Sequence, residues 1–337
     1  MARFIDISGW TNNEWSSPSK GSRPQKIFSN PETDEEYFFK QSSAKYPAEF
    51  WSEIIASEIG LLAGFPLLTY DAASYHGTLG CLSKSMVPNT LHQLYHGIDV
   101  LRDYLPGFQM SNKPVHSFQQ IMTLCEQTGE FRPFKKNFIQ IILFDALIGN
   151  TDRHTENWAF IIELHFIPQK PTDFKLIPKR SWRNYIPFLK SKITYDLEGR
   201  LDLKVKRTAS FSPIYDSGSC LGRELTDQRM HELLTNKRQL SSYLDRSKHE
   251  ICWNDKKINS FELVCNVAKA EPEIFQEVSD LFFGNITAKK MIKTIDDIDS
   301  EVVGKVGETY LSLPRKSLIK ALLVARFERL KEYLSVS

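Results

Sequence analysis

The strongest constraint on folding lies between Phe134 and Phe166. An apolar helical run, Phe134 to Ile148, is closed by Gly149-Asn150, a pair suited to a C-terminal cap, and apolar aromatic sequence resumes as a strand from Trp158 to Phe166. Between these core elements Asp152, His154 and Asn157 cluster within six residues. Two explanations compete. The loop is a polar tie between a buried helix and a buried strand, or it is a metal-assisted active site.

Bulk composition narrows the choice. The chain has 337 residues, 41% apolar and 25% charged, enough for one large domain or two lobes with a core. A formal net charge of +2 argues against a general nucleic-acid binder, so no DNA binding is expected. The five cysteines, Cys81, Cys125, Cys220, Cys252 and Cys265, are dispersed and include no C-x-x-C pair, which excludes a zinc or disulfide framework and suits a reducing compartment. The N-terminus MARFIDISGW lacks the apolar run of a signal peptide, and FIQIILFDALIG is too short to span a bilayer. A cytoplasmic protein with no membrane span is expected.

Along the chain, residues 1–88 read as strands with one helix. Asn13 to Gln25 is Ser-, Pro- and Gly-rich and marks a loop, and Tyr37 to Lys40 is a strand whose period of two puts Lys40 on the face of Phe38. A helix follows from Pro47, with an apolar stripe of Trp51, Ile54, Ile55, Ile59 and Leu62, then strands at Leu67–Thr69 and Leu79–Ser83. Residues from about 114 onward are mainly helical, ending in an amphipathic segment whose stripe, Leu318, Leu322, Leu323, Phe327 and Leu330, reads as core. Between residues 165 and 210 eleven Lys and Arg face four Asp and Glu, a basic insertion that reads as a solvated hairpin or as a platform for an acidic partner. The expected class is α+β: a small β-rich N-lobe, 1–88, and a larger helical C-lobe, 89–337, with a ligand cleft between them.

Asp152 and Asn157 are spaced Asp-x-x-x-x-Asn, and Tyr215-Asp216-Ser217-Gly218 follows a second strand-like run. Phosphoryl transfer needs an Asp that orients or deprotonates the attacking hydroxyl, an Asn and a second Asp that hold Mg²⁺, and an N-lobe Lys that neutralises phosphates. Lys40, Asp152, Asn157 and Asp216 supply those parts in the right order. Each alone is weak, since the Asp-x-x-x-x-Asn spacing and Asp-x-Gly turns are common and a strand-end Lys is usually solvated.

Together, Ile148-Gly149-Asn150-Thr151-Asp152-Arg153-His154-x-x-Asn157 and Tyr215-Asp216-Ser217-Gly218-Ser219-x-Leu221-Gly222 resemble the HipA-type kinases, bacterial Ser/Thr protein kinases related in fold to protein and phosphoinositide kinases. The resemblance extends in islands over residues 17–225. It implies ATP and Mg²⁺ as cofactors, with Asp152 the catalytic base, Asn157 and Asp216 the metal ligands and Lys40 the phosphate contact. His154 matches the family's histidine two residues after that Asp and is assigned a scaffold role or a purely structural one.

Ser19-Lys20-Gly21-Ser22-Arg23-Pro24 is similar to the family's phosphate loop, so Ser19, Gly21 and Ser22 join the ATP contacts. Pro18 stands where the family has a Ser, which leaves the target of autophosphorylation open. Alignment favours Glu49 as the partner of Lys40, whereas helical phase favours Glu58; Glu49 is preferred because a first turn can face a cleft. Position alone puts the adenine near Ser85, Met86 and Val87. The implied function is a Ser/Thr protein kinase acting on a protein substrate, with a toxin role and an antitoxin partner in prospect. The alternatives are a lipid or small-molecule kinase of the same fold and a nucleotide-binding pseudokinase.

Overall fold

A computed structural model describes residues 3–13, 26–87, 89–108, 116–168, 192–195, 201–302 and 311–335. In the N-terminal region, strands β1 (Phe4–Asp6), β2 (Thr11–Asn12), β3 (Lys26–Ser29) and β4 (Glu36–Gln41) precede helix α1 (Glu49–Leu62), and β5 (Asp71–Tyr75) and β6 (Thr78–Lys84) follow it. The six strands form one sheet in the order β1-β5-β6-β4-β3-β2. The β1–β5 pair is parallel and the other pairs are antiparallel.

Strand alternation divides this sheet into two environments. Phe39 points into a small cluster with Ile7, Phe28, Ala73 and Leu82 on one face. Phe38 and Lys40, one residue to either side, take the other face, where Lys40 meets Glu53 of α1. The phase expected for Lys40 is the phase found.

Helix α1 differs from its expected form. It begins at Glu49 rather than Pro47, and its first nine residues, Glu49 to Ser57, are all buried. A helix enclosed on all sides has no single apolar stripe, because it packs on the sheet and on the helical region at once.

The remaining elements are β7 (His92–His96), α2 (Gly97–Tyr104), α3 (Phe118–Gln127), α4 (Lys135–Ile148), β8 (Ala159–Pro168), β9 (Lys192–Tyr195), β10 (Leu201–Phe211), α5 (Asp227–Thr235), α6 (Lys237–Asp245), α7 (Ser260–Ala270), α8 (Pro272–Asn285), α9 (Ala288–Asp297) and α10 (Leu313–Ser335). The architecture is mixed α+β, with a β-sheet N-terminal region and a helical C-terminal region. Helix α4 is the centre of the latter: every residue from Phe138 to Ile148 is buried, against α7, α8 and α10. The C-terminal stripe expected to be core is core, with Leu318, Leu322, Leu323, Phe327 and Leu330 all buried. All five cysteines are buried thiols. Among the described residues no helix is long and apolar enough to cross a membrane.

Two local expectations need correction. Leu67–Thr69 is not a strand; Leu67 makes an isolated parallel bridge to Ile214, and the strand lies one step on, at β5. The helical region also contains a second sheet, ordered β7-β8-β10-β9. Its β8 and β10 pair antiparallel from Phe160↔Phe211 to Pro168↔Leu203, so the flanks of the basic insertion are a hairpin. Residues 169–191 and 196–200 lie outside the described residues.

Candidate active site

Lys40 is the centre of the site. Its Nζ donates to Glu53 Oε1 and to Asp216 Oδ1, each at 2.5 Å. Burial opposes charge on the ammonium, but the two carboxylates outweigh it and raise the Lys40 pKa well above its ordinary value. Burial likewise pushes the Asp216 carboxyl up, and Lys40 overrides it, holding the group down at about 2. Glu53 Oε2 accepts the Ser217 N–H at 2.8 Å, so one buried carboxylate of α1 grips both the lysine and the backbone beyond Asp216. A Cβ at Gly218 would lie 2.9 Å from Glu53 Oε1, which explains the glycine of the Asp-Ser-Gly run as a point of close approach.

Neither glutamate weighed from sequence holds this place. Glu49 pairs with Arg223, and Glu58 lies further along α1 at a half-buried position. Glu53 is one helical turn after Glu49, on the same face, and that turn brings it beneath Lys40.

The loop after α4 is anchored by Arg153, which is fully buried. All five of its N–H groups find acceptors. Nε and Nη2 bind the Asp145 carboxylate at 2.9 Å each. Nη1 donates to Asn157 O at 2.9 Å and to Tyr215 O at 2.5 Å, and Nη2 also donates to Ser217 Oγ at 3.1 Å. The guanidinium therefore joins α4, the Asp152–Asn157 loop and the Asp216 segment. Burial pushes the Asp145 carboxyl up, but Arg153 dominates and holds it at about 2. Asn150 Nδ2 donates to Asp145 Oδ1 at 3.1 Å, and His249 Nε2 lies 3.3 Å from Asp145 Oδ2. Tyr215 is fixed at its other end, its hydroxyl donating to Glu156 O at 2.7 Å.

On this frame Asp152 is exposed, its Oδ2 accepting the Ser219 hydroxyl at 3.1 Å. Asn157 is buried, and its Nδ2 donates to Asp152 O at 2.7 Å, which turns the amide oxygen away from that bond. His154 Nδ1 accepts the Glu156 N–H at 3.2 Å, a contact that braces the loop. Asp216 has a left-handed backbone, φ 53°, and its N–H meets Tyr70 Oη at 3.4 Å. A non-glycine residue held there is strained, which is common where a side chain must be aimed.

The remaining expected residues divide in two. Met86 and Val87 follow β6 at half-buried positions, and Ser85 Oγ both accepts the Val87 N–H at 3.2 Å and lies 3.0 Å from Val87 O. Ser19, Gly21 and Ser22 lie outside the described residues. Sequence reasoning missed Glu53, Arg153 and Asp145 as functional parts. A signal for the last two was present: an Asp inside the apolar run of α4 and an Arg in the loop it feeds, two charges that a core accepts only when paired.

Comparisons with known proteins agree with this architecture. No protein-family model matches the chain, and no curated protein matches it in sequence. Among solved structures, a Helicobacter pylori proinflammatory kinase, CtkA, aligns over 99% of this chain and 99% of its own with a TM-score of 0.71 at 15% identity. Shewanella oneidensis HipA, solved with HipB and operator DNA, aligns over 90% of this chain and 61% of its own, with a TM-score of 0.48 at 12% identity. Along its whole length the chain shares the fold of the Helicobacter pylori kinase.

Proposed function

We propose that this chain is an ATP- and Mg²⁺-dependent phosphotransferase, a HipA-like Ser/Thr protein kinase divided near residue 88 into an N-lobe and a C-lobe. The observation that carries the reading is Lys40 bound at once to Glu53 and Asp216, with Arg153 locking the Asp152 loop to the Asp216 segment. Four chemically distinct parts of a phosphoryl-transfer site are thereby drawn together from residues 40 to 216.

The donor set fits Mg²⁺. Asp216 has a carboxylate oxygen beyond the one given to Lys40, and Asn157 has an amide oxygen; both are hard ligands. Mg²⁺ keeps waters and takes phosphate oxygens beside one or two protein ligands, so two such oxygens are a sufficient protein share. When bound, the ion supplies charge neutralisation at the transferred phosphoryl group.

The residues divide the remaining work. Lys40 binds a phosphate oxygen, and Glu53 keeps its ammonium aimed. Asp152 Oδ2 is steadied by Ser219, and the carboxylate accepts the proton of the acceptor hydroxyl as its oxygen bonds to the γ-phosphorus and ADP leaves. Met86 and Val87 border the adenine, and Ser19, Gly21 and Ser22 cover the phosphates as the resemblance implies. Glu49 acts one step away, by fixing Arg223 and the entry of α1, while His154 shapes the loop.

The test is transfer of the γ-phosphate to a panel of protein, peptide and phosphoinositide acceptors, with and without Mg²⁺, followed by intact-mass measurement of the chain. Asp152→Ala and Asp216→Ala should each lower transfer by about a thousandfold or more. Normal transfer by either folded variant refutes the site. The toxin role implied by the resemblance predicts growth arrest on expression that Asp152→Ala relieves, and an antitoxin partner would co-purify with the chain.

A further inference from the structure

Beside the Asp152 loop, on the side of the helical region, lies a cavity of about 370 Å³. Its lining includes Thr151 and Ser219 from the site itself, Glu224, and three arginines, Arg229, Arg246 and Arg326. Ser219 is the residue bonded to Asp152 Oδ2, so the cavity begins where the base ends.

The three arginines differ in how they are neutralised. Arg229 pairs with Glu232 at 2.5 Å. Arg246, at an exposed position, donates Nε to Ser242 O at 3.1 Å and has no carboxylate partner among the described residues. Arg326 is 3% exposed and donates Nη1 to Ala146 O at 3.2 Å; its Nε and Nη2 have no acceptor among the described residues. The one acidic side chain in the lining, Glu224, already accepts the Tyr243 hydroxyl at 2.7 Å.

Glu224 offsets part of this charge, but one carboxylate faces both Arg246 and Arg326, so the lining keeps a cationic excess, and near-burial of the Arg326 guanidinium strips most of its hydration. Burial indeed lowers the Arg326 pKa from its ordinary value. The position is also built: a Cβ at Gly149, where φ is +70°, would lie 2.6 Å from Arg326 Cζ, so the loop backbone closes directly on the guanidinium. An anion entering the cavity would add the counter-charge that Glu224 alone does not supply to both arginines.

We propose that this cavity is an acceptor-side subsite that takes an anionic side chain, a carboxylate or a phosphate, from the protein segment whose hydroxyl is presented to Asp152. The proposal rests on the phosphotransferase reading above and adds the acceptor class: a Ser or Thr flanked by acidic or phosphorylated residues. Arg326 and Arg246 supply the charge, and Thr151 supplies a hydroxyl donor at the edge nearest the base, where Ser219 is already committed to Asp152.

The experiment is fluorescence anisotropy of the full chain with three labelled peptides of equal length around a central serine, flanked by Glu, by Gln or by phosphoserine, with phosphate transfer to each measured in parallel. The Glu or phosphoserine peptide should bind about tenfold tighter than the Gln peptide at low salt, and the advantage should shrink as salt rises. Which of the two binds tighter separates a carboxylate source from a phosphate source. Arg246→Ala and Arg326→Gln should each reduce the advantage severalfold. Circular dichroism and an unfolding midpoint check that Arg326→Gln folds, and Arg246→Ala, at an exposed position, gives an independent reading. Equal binding of all three peptides, or an advantage untouched by Arg246→Ala, overturns the proposal. Asp152→Asn separates the two readings: discrimination without transfer in the wild-type chain removes the phosphotransferase and keeps the anion cavity, whereas transfer that Asp152→Asn abolishes, without discrimination, removes the cavity alone.

Discussion

Replacing Arg153 by Met tests the frame on which the site is hung. The substitution keeps an unbranched apolar stem but ends before the guanidinium, and it removes five hydrogen bonds, leaving Asp145 fully buried with Asn150 and His249 beside its carboxylate among the described residues. Removing one partner of a buried ion pair costs about 3–5 kcal/mol, because the survivor keeps its desolvation penalty and loses its counter-charge. The acid response gives a second measure. Arg153 outweighs burial and holds the Asp145 carboxyl below its ordinary value, at about 2, so ionised Asp145 favours the folded chain. The group's folded pKa is depressed, so this stability is present in full above about pH 4 and is lost as pH falls through 2. Urea unfolding followed by tryptophan fluorescence and far-UV circular dichroism should give coincident transitions, with Arg153→Met less stable by about 3–5 kcal/mol at pH 7. Arg153→Met combined with Asp145→Asn should recover at least about 1 kcal/mol of that loss, since the orphaned charge is gone. A penalty below about 1 kcal/mol, or a double variant less stable than the single, refutes the reasoning.

The other predictions concern single contacts. Glu53→Gln should lower kcat/KM for ATP by about a hundredfold, whereas Glu58→Gln stays near wild type and Glu49→Gln acts mainly on the unfolding midpoint through Arg223; equal kinetic losses at Glu53 and Glu58 would reject the assigned partner. His154→Asn offers an amide oxygen in place of the Nδ1 that accepts the Glu156 N–H, and should retain activity within about threefold with both limbs of the pH–rate profile in place. A missing limb would mean that His154 exchanges a proton in the reaction. Gly149→Ala combines a left-handed backbone with a Cβ 2.6 Å from Arg326 Cζ, so a loss of about 2–3 kcal/mol is expected; an unchanged melting temperature would show that the loop yields freely.

What could be read in the sequence, and what could not, follows from how local each interaction is. The end of α4 at Gly149, the strand phase of Lys40 and the C-terminal core stripe are set by neighbours within a few residues, and period and capping chemistry reveal them. The α+β class was legible for the same reason. Glu53 was not, because phase arguments assume one buried face, and α1 is enclosed from Glu49 to Ser57. Lys40 is 13 residues away, but Ser217 and Asp216, which complete the grouping, lie in a segment more than 160 residues on, and nothing near Glu53 separates it from Glu49 one turn earlier. The second sheet was missed because β7 and β10 reach β8 only through long connections, and the charged side chains of β10 obscure its alternation. Arg153 stands between these cases. Asp145 lies eight residues before it, inside an apolar helix, and a buried carboxylate demands a cation. The same rule marks Asp145 as a charge in need of a cation without naming Arg153, since the sequence alone does not say which of the nearby cations folds back onto α4; only the structure shows that it is the one in the loop that α4 feeds.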